Sequence, residues 1–257
     1  MRILSWGVGL QSTTLLEMSV EGVIPKLDAA IFADTGFEHE YTHAIYNFYA
    51  PRALEAGIEV IKIGGQNILG DSYKKVSLPL FVGKTGRQII RKCTRDYKIR
   101  PVHRIIRDLL GVNRRGRLRA NLVDLWLGIT VDEVERANPS RVAFINHSFP
   151  LLDMNYYRPD CETWLRERGL PIPRKSSCKF CPFKSKPEWS ELREETPDDF
   201  RMIADLETHI NTAGLVKLDG KPTQVHFVPS GNNLLQADFS YQPGLFGSMC
   251  DGGFCHS

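Results

Sequence analysis

Short apolar blocks punctuate the first 140 residues, at 2–6, 27–33, 58–63 and 122–127, and turn residues or glycine end most of them. Between them, residues 11–20 carry Leu15, Leu16 and Met18 at helical spacing, and 39–56 is a second, longer segment of the same kind. Short strands alternating with helices predict an α/β fold: a Rossmann-like parallel sheet, right-handed crossovers and helices on both faces. The rhythm breaks at 64–92, where Gly70, Pro79, Gly83 and Gly86 predict a loop or small hairpin over the ligand pocket. A basic helix is predicted at 99–110 with Gly111 as its cap, then a turn at 113–117 and a short helix at 130–136. Beyond Pro139 no further regular core element is legible. Helices return at 158–168 and 197–211, the second with Phe200, Ile203, Leu206 and Ile210 on one face. An irregular cysteine-bearing segment lies between them, and short strand-like pieces and a glycine-rich tail follow. The pattern predicts an α/β domain over 1–139 and a cysteine-bearing helical lid and tail over 140–257.

In open parallel sheets, ligands bind beyond the carboxyl ends of the strands, and two small-residue turns fall there. The first, Ser5-Trp6-Gly7-Val8-Gly9-Leu10-Gln11-Ser12-Thr13, joins the first strand to the first helix; the second, Asp34-Thr35-Gly36, ends the second strand. Glycine lets the backbone approach an anion, hydroxyls and amides donate to phosphate oxygens, and the helix N-terminus favours negative charge. Ser5, Gly7, Gly9, Gln11, Ser12 and Thr13 are therefore candidate phosphate or sulfate contacts, with Asp34, Thr35 and Gly36 bordering the nucleotide. The first turn lacks the Gly-Lys-Ser/Thr ending of a Walker loop and the third glycine of the dinucleotide fingerprint.

The net charge of +3 is small, but its distribution is uneven. From Arg87 to Arg119 the chain carries twelve Arg or Lys residues against Asp96 and Asp108 alone. That stretch predicts an anion surface, for a nucleotide or a nucleic-acid backbone. No apolar run reaches the roughly 18 to 20 residues of a membrane span, and no secretory signal pattern opens the chain. The expectation is a cytoplasmic protein with no membrane partner.

Together these blocks resemble the adenine nucleotide alpha hydrolase superfamily, in the Gly-x-Gln form of the pyrophosphate loop seen in phosphoadenylylsulfate (PAPS) reductases. Ile31-Phe32-Ala33-Asp34-Thr35-Gly36 is similar to that family's Asp-Thr-Gly motif. The block from Arg91 through Cys93 and Lys98 to Pro101 is similar to its Cys, Lys and Pro block. Gly128, with Thr130, Asp132, Glu133 and Arg136, is similar to its later Gly and Glu segment, although Thr130 stands where reductases carry arginine. The resemblance implies an adenine nucleotide (PAPS, adenylylsulfate or ATP), with Gly128 in the nucleotide site and Lys98 stabilising charge on the anion. It also implies one of two chemistries. One is thiol-dependent reduction of PAPS or adenylylsulfate to sulfite, with a thiol electron donor. The other is an ATP pyrophosphatase that uses Mg2+ to adenylate a nucleobase or small-molecule carbonyl for sulfur or nitrogen transfer. In the reductases a cysteine near the carboxyl terminus attacks sulfur, and Cys255, followed by His256, with Cys250 beside it, is the candidate here.

The six cysteines are spread through a long chain, the usage of metal or redox chemistry in a reducing compartment. Cys178-Lys179-Phe180-Cys181-Pro182 carries the metal signal, because a Cys-x-x-Cys turn can aim two thiolates at one ion. With Cys93 and Cys161 it would supply four ligands for a [4Fe-4S] cluster or, alternatively, zinc. Cys161 alone also reads as a small buried apolar residue. A third use of the chain, without catalysis, is a metal-stapled module that binds nucleic acid through the Arg87 to Arg119 stretch.

Overall fold

The computed structural model describes residues 1–83, 86–113 and 116–240. The chain divides into two compact units, residues 1–66 with 95–177 and residues 67–94 with 178–257. That division differs from the boundary expected at 139/140. The segment expected as a hairpin leaves the first unit, and everything from 140 to 177 joins it.

In chain order the first unit contains β1 (Arg2–Ser5), α1 (Leu10–Val20), β2 (Ala29–Ala33), α2 (Glu40–Glu55) and β3 (Glu59–Ile63). The second unit then takes α3 (Ile68–Ser72), β4 (Leu80–Val82) and β5 (Arg87–Ile89). A π-helical turn, Thr94–Ile99, leads back through α4 (Arg100–Leu109) to β6 (Val123–Trp126), a 3-10 turn (Val131–Arg136), β7 (Ile145–Ser148), α5 (Pro150–Asp153) and α6 (Arg158–Glu167). The second unit closes with α7 (Lys186–Glu195), α8 (Pro197–Thr212), β8 (Lys217–Leu218), β9 (Lys221–Pro222) and β10 (Val225–His226).

The first unit is a five-stranded sheet in the order β3-β2-β1-β6-β7, every pair parallel. Period-two alternation sends each strand's side chains to two cores. Leu4, Trp6, Ala30, Phe32 and Trp126 pack with Leu15, Leu16, Tyr49, Cys161 and Trp164 from α1, α2 and α6. Ile3, Ala29, Ile31, Val123 and Leu125 pack on Val102 and Ile106 of α4. Helices thus cover both faces, as the near-continuous apolar strands require. The order reverses direction between β1 and β6, so the crevice at their carboxyl ends is the topological switch point.

One strand is missing from the sequence reading. In β7 only Ile145 is buried, while Asn146, His147 and Ser148 are partly or fully exposed. It pairs with β6 alone at one end of the strand order, so its polar residues need no apolar cover. The basic helix predicted at 99–110 is α4, Arg100–Leu109, and the π-helical turn Thr94–Ile99 runs into it from the preceding segment. Gly111 does follow α4 with φ +66°, the left-handed conformation of a helix-ending glycine.

The second unit has an antiparallel sheet, β10-β4-β5, and the helix pair α7 and α8. Its core is aromatic: Trp189 meets Phe200, Phe227 and Phe239, and Phe180 meets Phe227. Helix α8 holds the strand beside it through two side chains one turn apart. Asn211 both donates to and accepts from the Val225 backbone, and the fully buried Glu207 accepts from the amides of Phe227 and Leu234. Burial raises the Glu207 carboxyl from 4.5 to about 7. A carboxyl raised on folding contributes stability that is full below its unfolded value near 4.5 and is lost as pH rises through about 7. Burial lowers the His226 imidazole from 6.5, which works in the opposite sense, its contribution rising with pH and being complete above about 6.5. The stability of the native chain relative to Glu207→Gln should therefore fall by on the order of 3 kcal/mol between about pH 4.5 and 8, read from urea unfolding. A flat difference would show that Glu207 titrates alike in both states.

Candidate functional site

The first turn of α1 is bare. Gly9 is its N-cap in extended conformation, no side chain caps it, and no acidic residue lies in its first turn. Among the described residues, the N–H groups of Gly7, Val8, Gly9, Leu10 and Gln11 donate to no protein acceptor. Helix N-termini are normally satisfied by a cap, so this bare one presents unpaired donors and the positive end of the dipole together. Val8 adds a second sign. Its φ of +56° is rare for a β-branched residue and costs on the order of 1 kcal/mol, while its side chain is anchored in the core at 2 % exposure.

Ser12 and Thr13 are fixed from within. The Ser12 hydroxyl donates to the Gly9 carbonyl at 3.2 Å, and the Trp6 indole N–H donates to the Thr13 hydroxyl at 3.0 Å. Thr13 is fully buried, so its part is to hold the loop on Trp6. Gln11 is gripped on both sides, donating to Glu133 at 3.3 Å and accepting from Arg158 at 3.2 Å. Gly128 is a packing position: a Cβ there would stand 2.6 Å from the Ser12 nitrogen and 2.9 Å from its Cα. Only glycine lets the segment after β6 lie against the first turn of α1, and this closes the switch-point crevice.

The Asp34 turn forms the neighbouring wall. Asp34 accepts from the Gly36 amide at 2.9 Å and pairs with Lys62 on β3 at 3.0 Å, and the His43 ring stands 4.0 Å away. Thr35 donates to the buried Glu38 at 2.8 Å, and Gly36 has φ +81°. The Gln66 amide donates to the carbonyls of both Asp34 and Tyr97, which sets the backbone before Lys98 beside this turn. Lys98 itself is partly buried in the π-helical turn, an element often found at functional sites.

Three residues here were not singled out from sequence. Lys62 reads as a polar position on an alternating strand, and His43 carries no metal-like or catalytic spacing. Ser176 lies far along the chain, yet a Cβ on Gly9 would be 2.8 Å from its hydroxyl. No local signal marks it, since its place follows from the path of the segment after α6.

The cysteines divide between the units. Cys161 is fully buried in the α1–α6 core, and burial pushes its thiol up to about 12. That is the environment of a small apolar residue rather than of a thiolate. In the second unit Cys178 and Cys181 are partly exposed on one turn, closed by the Cys181 amide donating to the Cys178 carbonyl at 3.0 Å. The turn is pinned from inside by Phe180 in the aromatic core and by Lys179 paired with Asp199 at 2.8 Å. Cys93 is partly exposed, and its amide donates to Ser77. Among the described residues no three His, Cys, Asp or Glu side chains form a group able to hold a metal ion. Cys250 and Cys255 lie outside the described residues.

The basic stretch is divided between the two units. Arg87, Arg91 and Lys92 belong to the second unit, and Arg95 to Arg119 to the first. Asp96 pairs with Arg95 and Arg100, and Arg107 stacks on Phe144 and donates to the carbonyls of Asn113 and Gly116. Arg114 and Arg115 lie outside the described residues. Among the described residues no helix is long and apolar enough to cross a membrane. The tryptophans Trp126, Trp164 and Trp189 are all buried, as core residues rather than stacking platforms.

No protein-family model matches the chain, and no curated protein matches it in sequence. Among solved structures, it is similar to the crystal structure of phosphoadenylyl-sulfate (PAPS) reductase from Candida auris in its phosphate complex. The two are 16 % identical, the match covers 67 % of this chain and 74 % of that one, and the TM-score is 0.42.

Proposed function

We propose that the chain is an adenine-nucleotide enzyme whose α1 N-terminus binds the charged tail of an adenylyl compound. The observation that carries this reading is the bare helix start at the β1/β6 switch point, with unpaired amides, no acidic residue in its first turn and Val8 at positive φ in the loop. Asp34, Thr35 and Gly36 line the adjoining wall, and Lys98 supplies positive charge to the anion.

The chemistry proposed is reduction of a sulfonucleotide, PAPS or adenylylsulfate. The Cys255 thiolate attacks the sulfonyl sulfur, the S–O bond to the nucleotide breaks, and AMP (from adenylylsulfate) or the adenosine bisphosphate (from PAPS) leaves with the bonding pair. A second thiol, from Cys250 or an external dithiol donor, then attacks Cys255 Sγ, releasing sulfite and leaving a disulfide. The dithiol donor supplies the two electrons that restore the thiols. Cys161 is unsuited to the first step, because its buried thiol does not ionise near neutral pH.

ATP adenylation is the second reading, favoured by Thr130. This fully buried neutral side chain occupies the place where resemblance to the reductases would put a cation. Incubating the protein with PAPS, adenylylsulfate and ATP separates the two. We expect sulfite with AMP or the adenosine bisphosphate, and sulfite lost in Cys255→Ser. Pyrophosphate without sulfite would reject the reductase chemistry and leave the nucleotide site standing.

A further inference from the structure

The segment after α6 crosses the mouth of the phosphate loop. Within the first unit it is moored to α2 by two tyrosines, Tyr49 donating to the Pro171 carbonyl and Tyr41 to the Lys175 carbonyl, while Arg174 stacks on the Tyr41 ring at 5.5 Å. These moorings set Ser176 above the loop. Its hydroxyl is 2.8 Å from where a Gly9 Cβ would stand and 3.7 Å from the corresponding point on Gly7. A second observation is an unpaired polar group in the segment that packs on the same turn. Thr130 is fully buried, and its hydroxyl has no hydrogen-bond partner among the described residues. Its chain neighbours Gly128 and Glu133 both lie on the first turn of α1, against Ser12 and Gln11. A buried hydroxyl left unpaired costs on the order of 1 to 3 kcal/mol, a cost that a ligand oxygen in the crevice would remove.

We infer that Ser176 is a specificity-determining residue of this site: its hydroxyl donates to an anionic group beyond the nucleotide's first phosphate, and the 171–177 strap holds it there. The inference rests on the adenine-nucleotide reading above. A neutral hydroxyl fits the role, because a charge-assisted hydrogen bond to an oxyanion adds affinity without burying another cation. The strap would then distinguish ATP and adenylylsulfate, which carry a second anionic group, from AMP, which does not.

Calorimetric titration of the full chain with AMP, adenylylsulfate and ATP tests this for the native protein, Ser176→Ala and Tyr41→Phe. We expect Ser176→Ala to weaken the best of the two longer ligands about tenfold or more while AMP affinity changes less than about twofold. Tyr41→Phe, which loosens the mooring, should show a smaller loss with the same selectivity. Melting of the ligand-free proteins should coincide, since a folding defect would weaken all three ligands alike. Equal loss for AMP, or longer ligands binding Ser176→Ala as well or better, would overturn the role of Ser176 and leave the nucleotide reading intact. A native protein that binds none of the three would overturn both.

Discussion

Arg52→Ala is expected to cost the first unit about 3 kcal/mol of stability, the penalty of leaving a buried carboxylate without its partner. Glu17 on α1 is fully buried, and Arg52 on α2 meets both of its oxygens, Nε at 3.0 Å and Nη2 at 2.9 Å. The fork ties together the two helices that flank the candidate site. Arg52 is 38 % exposed on its side chain, so water moderates the loss and the lower part of the range for buried pairs applies. Arg52→Lys should recover only part of it, because an ammonium cannot reproduce the two-pronged contact. Pairing Arg52→Ala with Glu17→Gln should restore much of the stability by removing the stranded charge. Urea midpoints of the four proteins provide the test, and a single-variant loss within about 0.5 kcal/mol would mean that Glu17 is not held by Arg52.

Gly128→Ala should be about as costly and should also abolish nucleotide binding. The added methyl meets backbone atoms, the nitrogen and Cα of Ser12 and the carbonyl carbon of Gln11, all within 3.0 Å. No side-chain rotation relieves that contact, so the strand-to-helix packing must shift, at about 3 kcal/mol. The displaced part is the helix start that presents the amides. Gly9→Ala makes the contrast: its methyl meets the rotatable Ser176 hydroxyl, and stability should stay within about 1 kcal/mol of the native value. A Gly128→Ala protein with native stability and native ATP or adenylylsulfate affinity would show that the approach of the two segments is not needed.

What could be read from the chain follows from how locally each feature is determined. Strands β1, β2 and β6 were legible because burial on both faces leaves near-continuous apolar runs, and β3, at the end of the strand order, because Val60, Ile61 and Ile63 keep it apolar between exposed Glu59 and Lys62. The turns at Gly7–Gly9 and Asp34–Gly36 were legible because backbone approach to an anion requires small residues in a short span. β7 was not, since a strand paired on one side tolerates Asn146 and His147, and α7 was hidden by its density of charged residues. Long-range placement was the least accessible. Nothing around Ser176 tells that tyrosines on α2 moor it over Gly9, and nothing around Cys161 distinguishes a ligand from the core position it occupies. The spacing of the Cys178–Cys181 turn was plain, while the burial of Lys179 and Phe180 inside it depends on partners from α8 onward.

The central claim is that the unpaired amides at the start of α1 hold the charged tail of an adenylyl compound. Amide NMR on the labelled protein, titrated with adenylylsulfate and with ATP, tests it most directly. The account predicts that with at least one of them the largest shifts fall on Gly7, Val8, Gly9, Leu10 and Gln11, with a smaller response at Gly36. Saturable binding whose largest shifts fall elsewhere, with those five amides unmoved, would contradict it.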